Sequence, residues 1–244
     1  MAPGPSRALA GQVAVVTGAG RGIGRAVAQY FAADGASLVL ASRTAGDLKS
    51  VAEDAERMSV SALAVPTDVT DDAAVQRLVD RALEAFGRVD ILVTAAGVAS
   101  FGPVADSDPR DWDAMLQVNL RAVMTTCRAV LPPMLAQHRG TIINVASVAA
   151  SRPIPGAAAY TATKAAVVGW SRVLAEELRA GGVRVGVLVP GAVDTPLWDT
   201  IPGGPDRSRM LRPEDVARAA LLMATLPPGA TLEEVTLLPA GGIL

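Results

Sequence analysis

A chain of 244 residues with a formal net charge of −2 has no basic surplus, so composition gives no reason to expect nucleic acid or an anionic membrane as a partner. Half of the residues are apolar but only 3% are aromatic. That leaves the core to Val, Leu, Ile and Ala, the composition of helices packed on a buried parallel sheet, at a length that suits one or two domains.

The opening "MAPGPSRALAG" is rich in Pro and Gly and has no apolar stretch of signal-peptide length, and residues 1–10 are expected to be flexible. "QVAVVT" (12–17) is the first strand candidate. It runs straight into "TGAGRGIGRAVAQYF", which puts Gly18, Gly20, Gly22 and Gly24 at the junction with a helix over 22–34. At such a junction the chain must turn tightly, and the helix N-terminus can receive a phosphate through its free N–H groups and positive dipole end. The spacing is G-x-x-x-G-x-G rather than the commoner G-x-G-x-x-G. Alone it reads as either a tight connection or a dinucleotide cradle; its place after the first strand favours the cradle.

"ASLVLA" (36–41) is the second strand, followed by Ser42, Arg43 and Thr44. A site for NAD usually has Asp or Glu here to bind the ribose 2′-hydroxyl. This chain has an Arg that can grip a 2′-phosphate, with no carboxylate there to repel it, and Arg21 in the glycine turn can add a second cation. Each Arg alone reads equally as a solvated surface charge; together they favour NADP(H) over NAD(H).

A helix over 46–58, with Leu48, Val51, Ala52 and Ala55 at helical spacing, leads to a strand at 61–66. A helix over 72–86, a strand at 89–94 and a long helix over 109–137 follow. Cys127 in that helix is the only cysteine, which excludes an intramolecular disulfide and fits a reducing compartment. The single His138, at its end, has no second His or nearby Cys with which to hold a metal, so no metal site is expected. The strand at 141–147 ends on Ser147, at the carboxyl end where open α/β sheets bind ligands. A helix over 157–180, a strand at 183–189, a helix over 213–225 and a strand at 234–238 complete the chain.

Strand–helix alternation implies a Rossmann-like, doubly wound α/β fold of about seven parallel strands with helices on both faces, as one domain over 1–244. The irregular stretch at 193–211 is long for a compact domain and reads as a substrate-binding loop or lid. No uninterrupted apolar run reaches 18 residues, and a soluble, cytoplasmic protein without a membrane partner is expected.

The helix over 157–180 holds one of two tyrosines and one of two lysines in the chain, against twenty arginines. Tyr160 and Lys164 are four residues apart and share a helix face, with Cβ atoms about 5–6 Å apart. A phenol titrates near pH ~10. An ammonium about 5 Å away, at an effective dielectric of about 20, stabilises the phenolate by roughly 3 kcal/mol before any desolvation. That is about two pH units, enough to make Tyr160 a workable general acid or base. The plainer reading is a packing Tyr and a surface Lys.

The motifs in order resemble the short-chain dehydrogenase/reductase family over about residues 11–242. The match runs through "TGAGRGIG" (17–24), Asp68 in "TDVTD", "TAAG" (94–97), Asn119, Ser147, Tyr160-x-x-x-Lys164 and "PGAVDT" (190–195). The resemblance implies that Tyr160 exchanges a proton with the carbonyl oxygen and that Ser147 positions that oxygen. It further implies that Lys164 lowers the phenol pKa and holds the nicotinamide ribose, while Asn119 anchors a water that links Lys164 to solvent. Asp68 and Val69 would contact the adenine, Ala95, Ala96 and Gly97 would line the cofactor, and Val193 and Thr195, after Pro190 and Gly191, would bind the carboxamide. Ile23 completes the glycine turn. Ser42, Arg43 and Thr44 with Arg21 look like the NADP-preferring subset.

The expected activity is an NADP(H)-dependent carbonyl reductase or alcohol dehydrogenase, 3-oxoacyl-reductase-like among the options, in a homotetramer or homodimer. The alternatives are an NAD-dependent hydroxy-compound dehydrogenase and a non-catalytic dinucleotide sensor. Phe101, Ile154, Leu197 and Trp198 suggest an apolar substrate body or simple lid packing, and Arg152 either meets an anionic substrate or is a surface charge. Two positions depart from the family: Thr94 stands where Asn is usual, and Pro239-Ala240 where an acidic residue commonly precedes the Gly pair.

Overall fold

The computed structural model describes residues 7–201, 204 and 206–243. The first strand, β1 (Val13–Thr17), is buried at every position, as a strand covered on both faces must be. Its side chains alternate between two cores: Ala14 and Val16 face one, Val13 and Val15 the other. With β2 (Ser37–Ser42), β3 (Ala62–Pro66), β4 (Ile91–Thr94), β5 (Gly140–Val145), β6 (Val183–Pro190) and β7 (Glu234–Leu237) it forms one parallel sheet in the order β3-β2-β1-β4-β5-β6-β7. The expected single-domain, doubly wound fold is the one found.

Helices α1 (Gly22–Ala33), α2 (Ala45–Arg57) and α7 (Pro213–Thr225) cover one face with Phe31, Leu48 and Val216. On the other face lie α3 (Asp72–Phe86), α5 (Ala122–Ala136) and α6 (Ala158–Leu178), with Leu78, Val130 and Val167. The strand order reverses between β1 and β4, so the carboxyl ends of these strands open into a crevice where such folds bind ligands.

Four details differ from expectation and bear on the site. The long helix over 109–137 is α4 (Pro109–Met115), a π-helical stretch (Leu116–Arg121) and α5 in succession. The wider turn carries Asn119, which is fully buried; such irregularities are frequent at functional sites. Strand β5 stops at Val145, so Ser147 lies beyond its end and caps a short 3₁₀ turn (Val148–Ala150), its oxygen accepting from the Ala149 N–H at 3.2 Å. The stretch at 193–211 is pinned at its ends by a parallel bridge between Val193 and Leu211, with 3₁₀ turns at Pro196–Thr200 and Arg207–Arg209 between them. Finally, of the segment expected to be flexible, 1–6 lie outside the described residues, whereas Leu9 is fully buried and its N–H donates to the Asp34 carbonyl at 3.1 Å.

His138 is exposed just past α5, in the left-handed region at φ 48°. No group of three or more His, Cys, Asp or Glu among the described residues could hold a metal ion, and no described helix is long and apolar enough to cross a membrane.

Candidate active site

The glycine turn has the form it has because nothing larger fits. Gly18 sits at φ +68°, and a Cβ there would lie 2.7–2.8 Å from the Ala95–Ala96 backbone. A Cβ on Gly24 would come within 2.3 Å of the Gly18 carbonyl oxygen, which sets how closely α1 docks on the turn. Helix α1 begins with no side-chain cap at Arg21 and no acidic residue in its first turn. Its leading N–H groups therefore meet no carboxylate from the helix's own first turn, the arrangement that receives a phosphate. The residues present fit a dinucleotide pyrophosphate.

Around this turn opens a cleft of about 1040 Å³ along the carboxyl ends of the strands. Every residue that the sequence suggested for dinucleotide contact lines it except Gly24 and Asn119, which stand behind the lining. Thr195 crosses from the β6 side to the glycine turn, its side chain 3.2–3.3 Å from where a Gly22 Cβ would be. The Asp68 carboxyl is held below its ordinary pKa chiefly because the Thr70 N–H and O–H donate to it at 2.9 and 2.7 Å, with the Arg43 charge adding to this.

One expectation fails at the end of β2. The sequence suggested no carboxylate near Arg43, but the first turn of α2 brings Asp47 into the cleft lining. Its Cβ is 2.9 Å from where a Gly20 Cβ would lie, and the Ser42 hydroxyl is 3.1 Å from the same point. Asp47 follows Arg43 by four residues, one helical turn, which was the signal for it.

The four residues proposed for chemistry converge. The Ser147 hydroxyl lies close enough to the Tyr160 phenol to draw its pKa down. Lys164 is 5% exposed, donates to the Val145 carbonyl at 3.0 Å and lies 5.7 Å from the centre of the Tyr160 ring. Asn119 clasps Val98, accepting from its N–H at 2.9 Å and donating to its carbonyl at 2.8 Å, and also donates to Thr163 at 3.3 Å. Its amide therefore ties the exit of β4 to α6, next to Lys164.

The direction of the Tyr160 shift is the reverse of that expected from the pair alone. The residue is half-buried at the cleft, yet protein crowds the hydroxyl, and this burial pushes the phenol above its ordinary value while neighbouring Ser147 draws it partly back. The same burial lowers the Lys164 ammonium to about 8. Burial disfavours both charged forms, an effect that sequence spacing does not report.

The far half of the cleft is apolar and aromatic. Phe101 lies 5.7 Å from Tyr160 with the rings tilted by 53°, and 6.0 Å from Trp198 with the planes within 2° of parallel. The Trp198 N–H donates to the Val193 carbonyl at 2.9 Å. Ile154 and Leu197 line the same space; Arg152 is exposed and off the lining. Ile201 lines it from within the loop expected at 193–211, whereas sequence reasoning missed Ile243, since only the chain path brings the C-terminal segment to the cleft.

Both departures from the family pattern have a local account. The Thr94 hydroxyl donates at 2.7 Å to Asn144, its register partner on β5, and Asn144 in turn donates to Ser171 at 2.9 Å. Pro239 packs against Gly191, 3.0 Å from where its Cβ would be.

Residues 12–204 match the family model described as short chain dehydrogenase. The chain belongs to the short-chain dehydrogenase family. It is an oxidoreductase of that family and is 38% identical over 231 residues to an uncharacterized oxidoreductase of Staphylococcus aureus (strain MRSA252), across 95% of this chain and 98% of the relative. A Staphylococcus haemolyticus oxidoreductase, likewise uncharacterized, is 36% identical over the same shares. Among solved structures, the chain is similar to a metagenomic short-chain oxidoreductase in complex with NADP, with a TM-score of 0.84 and 37% identity, covering 96% of this chain and 99% of that one. It is also similar to an alcohol dehydrogenase of Thermococcus sibiricus complexed with 5-hydroxy-NADP, with a TM-score of 0.87, 32% identity and coverage of 94% and 97%. A 7 alpha-hydroxysteroid dehydrogenase complexed with NADH and 7-oxo glycochenodeoxycholic acid has a TM-score of 0.90 at 29% identity, covering 100% and 98%.

Proposed function

We propose that this short-chain dehydrogenase moves hydride between the nicotinamide of NADP(H) and a carbonyl or secondary-alcohol carbon. The observation that carries this reading is the meeting of Ser147, Tyr160 and buried Lys164, side by side in the cleft, with a glycine cradle shaped for a pyrophosphate. The bound dinucleotide supplies or accepts the hydride.

Tyr160 gives its proton to the substrate oxygen in reduction and takes it back in oxidation. Its raised pKa keeps it protonated at neutral pH, the form that reduction needs. Ser147, beyond the end of β5 and fixed by Ala149, holds the substrate oxygen next to that proton. Lys164 holds positive charge beside the phenol, easing its transient ionisation, and reaches the nicotinamide ribose. Asn119 is a positioning residue whose amide is committed to Val98 and Thr163, which leaves its main chain for the water relay implied by the resemblance.

Arg43 and Arg21 at the rim support NADP(H), as do the bound NADP of one structural neighbour and the 5-hydroxy-NADP of another. Asp47 favours a second reading in which NAD(H) is also used. The protein acts on a small molecule in the cytoplasm, where buried Cys127 stays reduced. It assembles as a homodimer or homotetramer, for which exposed Met124 on α5 and Val173 on α6 offer apolar surface.

Tyr160→Phe tests the reaction. It should bind NADPH as the native protein does, measured by fluorescence titration, and lose nearly all ketone reduction. Activity that survives rejects the proton-donor assignment.

A further inference from the structure

We propose that the substrate is an uncharged ketone, or the corresponding secondary alcohol, with its carbonyl in or directly beside a flat aromatic or alicyclic ring. This rests on the hydride-transfer reading above and adds the substrate class to it.

Charge in the cleft is segregated. Arg21, Arg43, Asp47 and Asp68 lie at the glycine turn and the ends of β2 and β3, and Lys164 is buried on the Val145 carbonyl. Past Ser147 and Tyr160, no described lining residue of the 98–103, 147–156 and 197–204 stretches, nor Ile243, is Asp, Glu, Lys, Arg or His. Of the nearby arginines, Arg207 donates to Asp194 at 2.5 Å and to Asp199 at 2.6 Å, Arg152 is exposed off the lining, and Arg209, its guanidinium 3.8 Å from where a Gly241 Cβ would lie, is likewise exposed and off the lining. A substrate carboxylate or phosphate would leave water here without a counter-charge, and an unpaired ion in such surroundings is strongly disfavoured.

The shape of the wall specifies the rest. Phe101 stands directly beside Tyr160 and stacks in parallel on Trp198, so aromatic surface begins next to the proton donor. The indole gives its one polar atom to the Val193 carbonyl, and what remains for the cleft is its ring. Ile154 and Ile201 extend the same apolar surface. A flat ring bonded to the carbonyl carbon lies against these side chains with the geometry that aromatic pairs prefer. A 3-oxoacyl thioester would instead place a second polar carbonyl among them, where the described lining side chains beyond Ser147 and Tyr160 offer no donor but the Trp198 indole N–H, already given to Val193.

The test is NADPH-dependent reduction of a matched set by the full chain: 2-tetralone and acetophenone, anionic 4-acetylbenzoate, and the neutral thioester acetoacetyl-N-acetylcysteamine. We expect kcat/KM for the two neutral ring ketones to exceed that for either other compound by at least about tenfold, the scale on which pocket contacts discriminate. Phe101→Ala should raise KM for 2-tetralone by about tenfold or more while the NADPH Kd stays unchanged, with Phe101→Leu in between. Equal or better turnover of 4-acetylbenzoate or the thioester overturns the substrate class and leaves hydride transfer standing. A KM unmoved in Phe101→Ala overturns the aromatic placement. No turnover of any ketone by protein that binds NADPH overturns the reaction reading and this proposal with it.

Discussion

Asp47 and Gly20 face each other across the rim of the cleft so closely that a side chain on Gly20 would run into the Asp47 Cβ, at 2.9 Å. Arg43 lies one helical turn before Asp47, and Ser42 beside both. The pocket at the end of β2 therefore holds a cation and an anion, and on the proposed cofactor reading the first would attract a 2′-phosphate and the second repel it. Preference between NADPH and NADH would then be the difference of these two effects. Both side chains are exposed, so each is screened by water and salt.

Asp47→Asn should therefore raise the ratio of kcat/KM for NADPH over NADH by about tenfold, equivalent to about 1.4 kcal/mol. Arg43→Ala should lower the same ratio by about as much, acting on NADPH and leaving NADH nearly unchanged. Initial rates with both cofactors at low and high salt check this, and both effects should shrink as ionic strength rises. A ratio that Asp47→Asn leaves unmoved would show that its carboxylate does not face the 2′-position.

Most of the scaffold was legible because a buried parallel sheet writes itself as β-branched runs, and because the glycine turn tolerates no side chain at Gly18 or Gly24. The pair at Tyr160 and Lys164 was legible because helical spacing fixes which residues share a face. The direction of the Tyr160 shift was not, since it depends on how much protein surrounds the hydroxyl. Asp47 and Ile243 were missed for a related reason: each enters the cleft from an element whose pattern only reports its own buried face. The π-helical turn that buries Asn119 leaves no mark in the hydrophobic period.

The burial of Tyr160 makes the two directions of the reaction respond differently to pH. With its pKa raised, the phenol stays protonated through neutral pH, and reduction should be nearly flat from about pH 6 to about pH 7, below the titration of Lys164. Oxidation needs the deprotonated form, so its kcat/KM should climb over the same interval, approaching tenfold per pH unit. Steady-state profiles in both directions with one alcohol–ketone pair measure this. An oxidation rate that falls as pH rises contradicts the assignment of Tyr160 as the base.

Thr94 is 3% exposed and its hydroxyl serves fully buried Asn144, so the pair supports the sheet rather than the chemistry. Thr94→Val keeps the shape and removes the donor, leaving the Asn144 carbonyl oxygen with only the Cys127 thiol, at 3.4 Å. The loss of a buried partner costs about 1–3 kcal/mol. At this chain length each kcal/mol lowers Tm by about 2–4 °C. Thr94→Ser, which retains the hydroxyl, should recover most of the loss, and kcat with saturating NADPH should hold in both variants. An unchanged Tm in Thr94→Val would mean that Asn144 finds another donor.

Lys164 should make the protein without dinucleotide more stable as pH rises. Its ammonium titrates at about 8 in the fold against 10.5 ordinarily, because burial disfavours the charge. Below pH 8 both folded and unfolded chains carry the proton and the full cost of burying it is felt, about 3 kcal/mol from the size of the shift. Between about pH 8 and about pH 10.5 the unfolded chain binds the proton and the folded chain does not, so stability rises with pH across that window. Lys164→Met removes this titration. The native Tm minus the variant Tm should therefore grow more positive from about pH 7.5 to about pH 10, whatever its sign at the start. Thermal unfolding of both proteins in parallel buffers without nucleotide reads the difference directly. A difference that stays level across this range would place the ammonium in a more solvated setting than its 5% exposure implies.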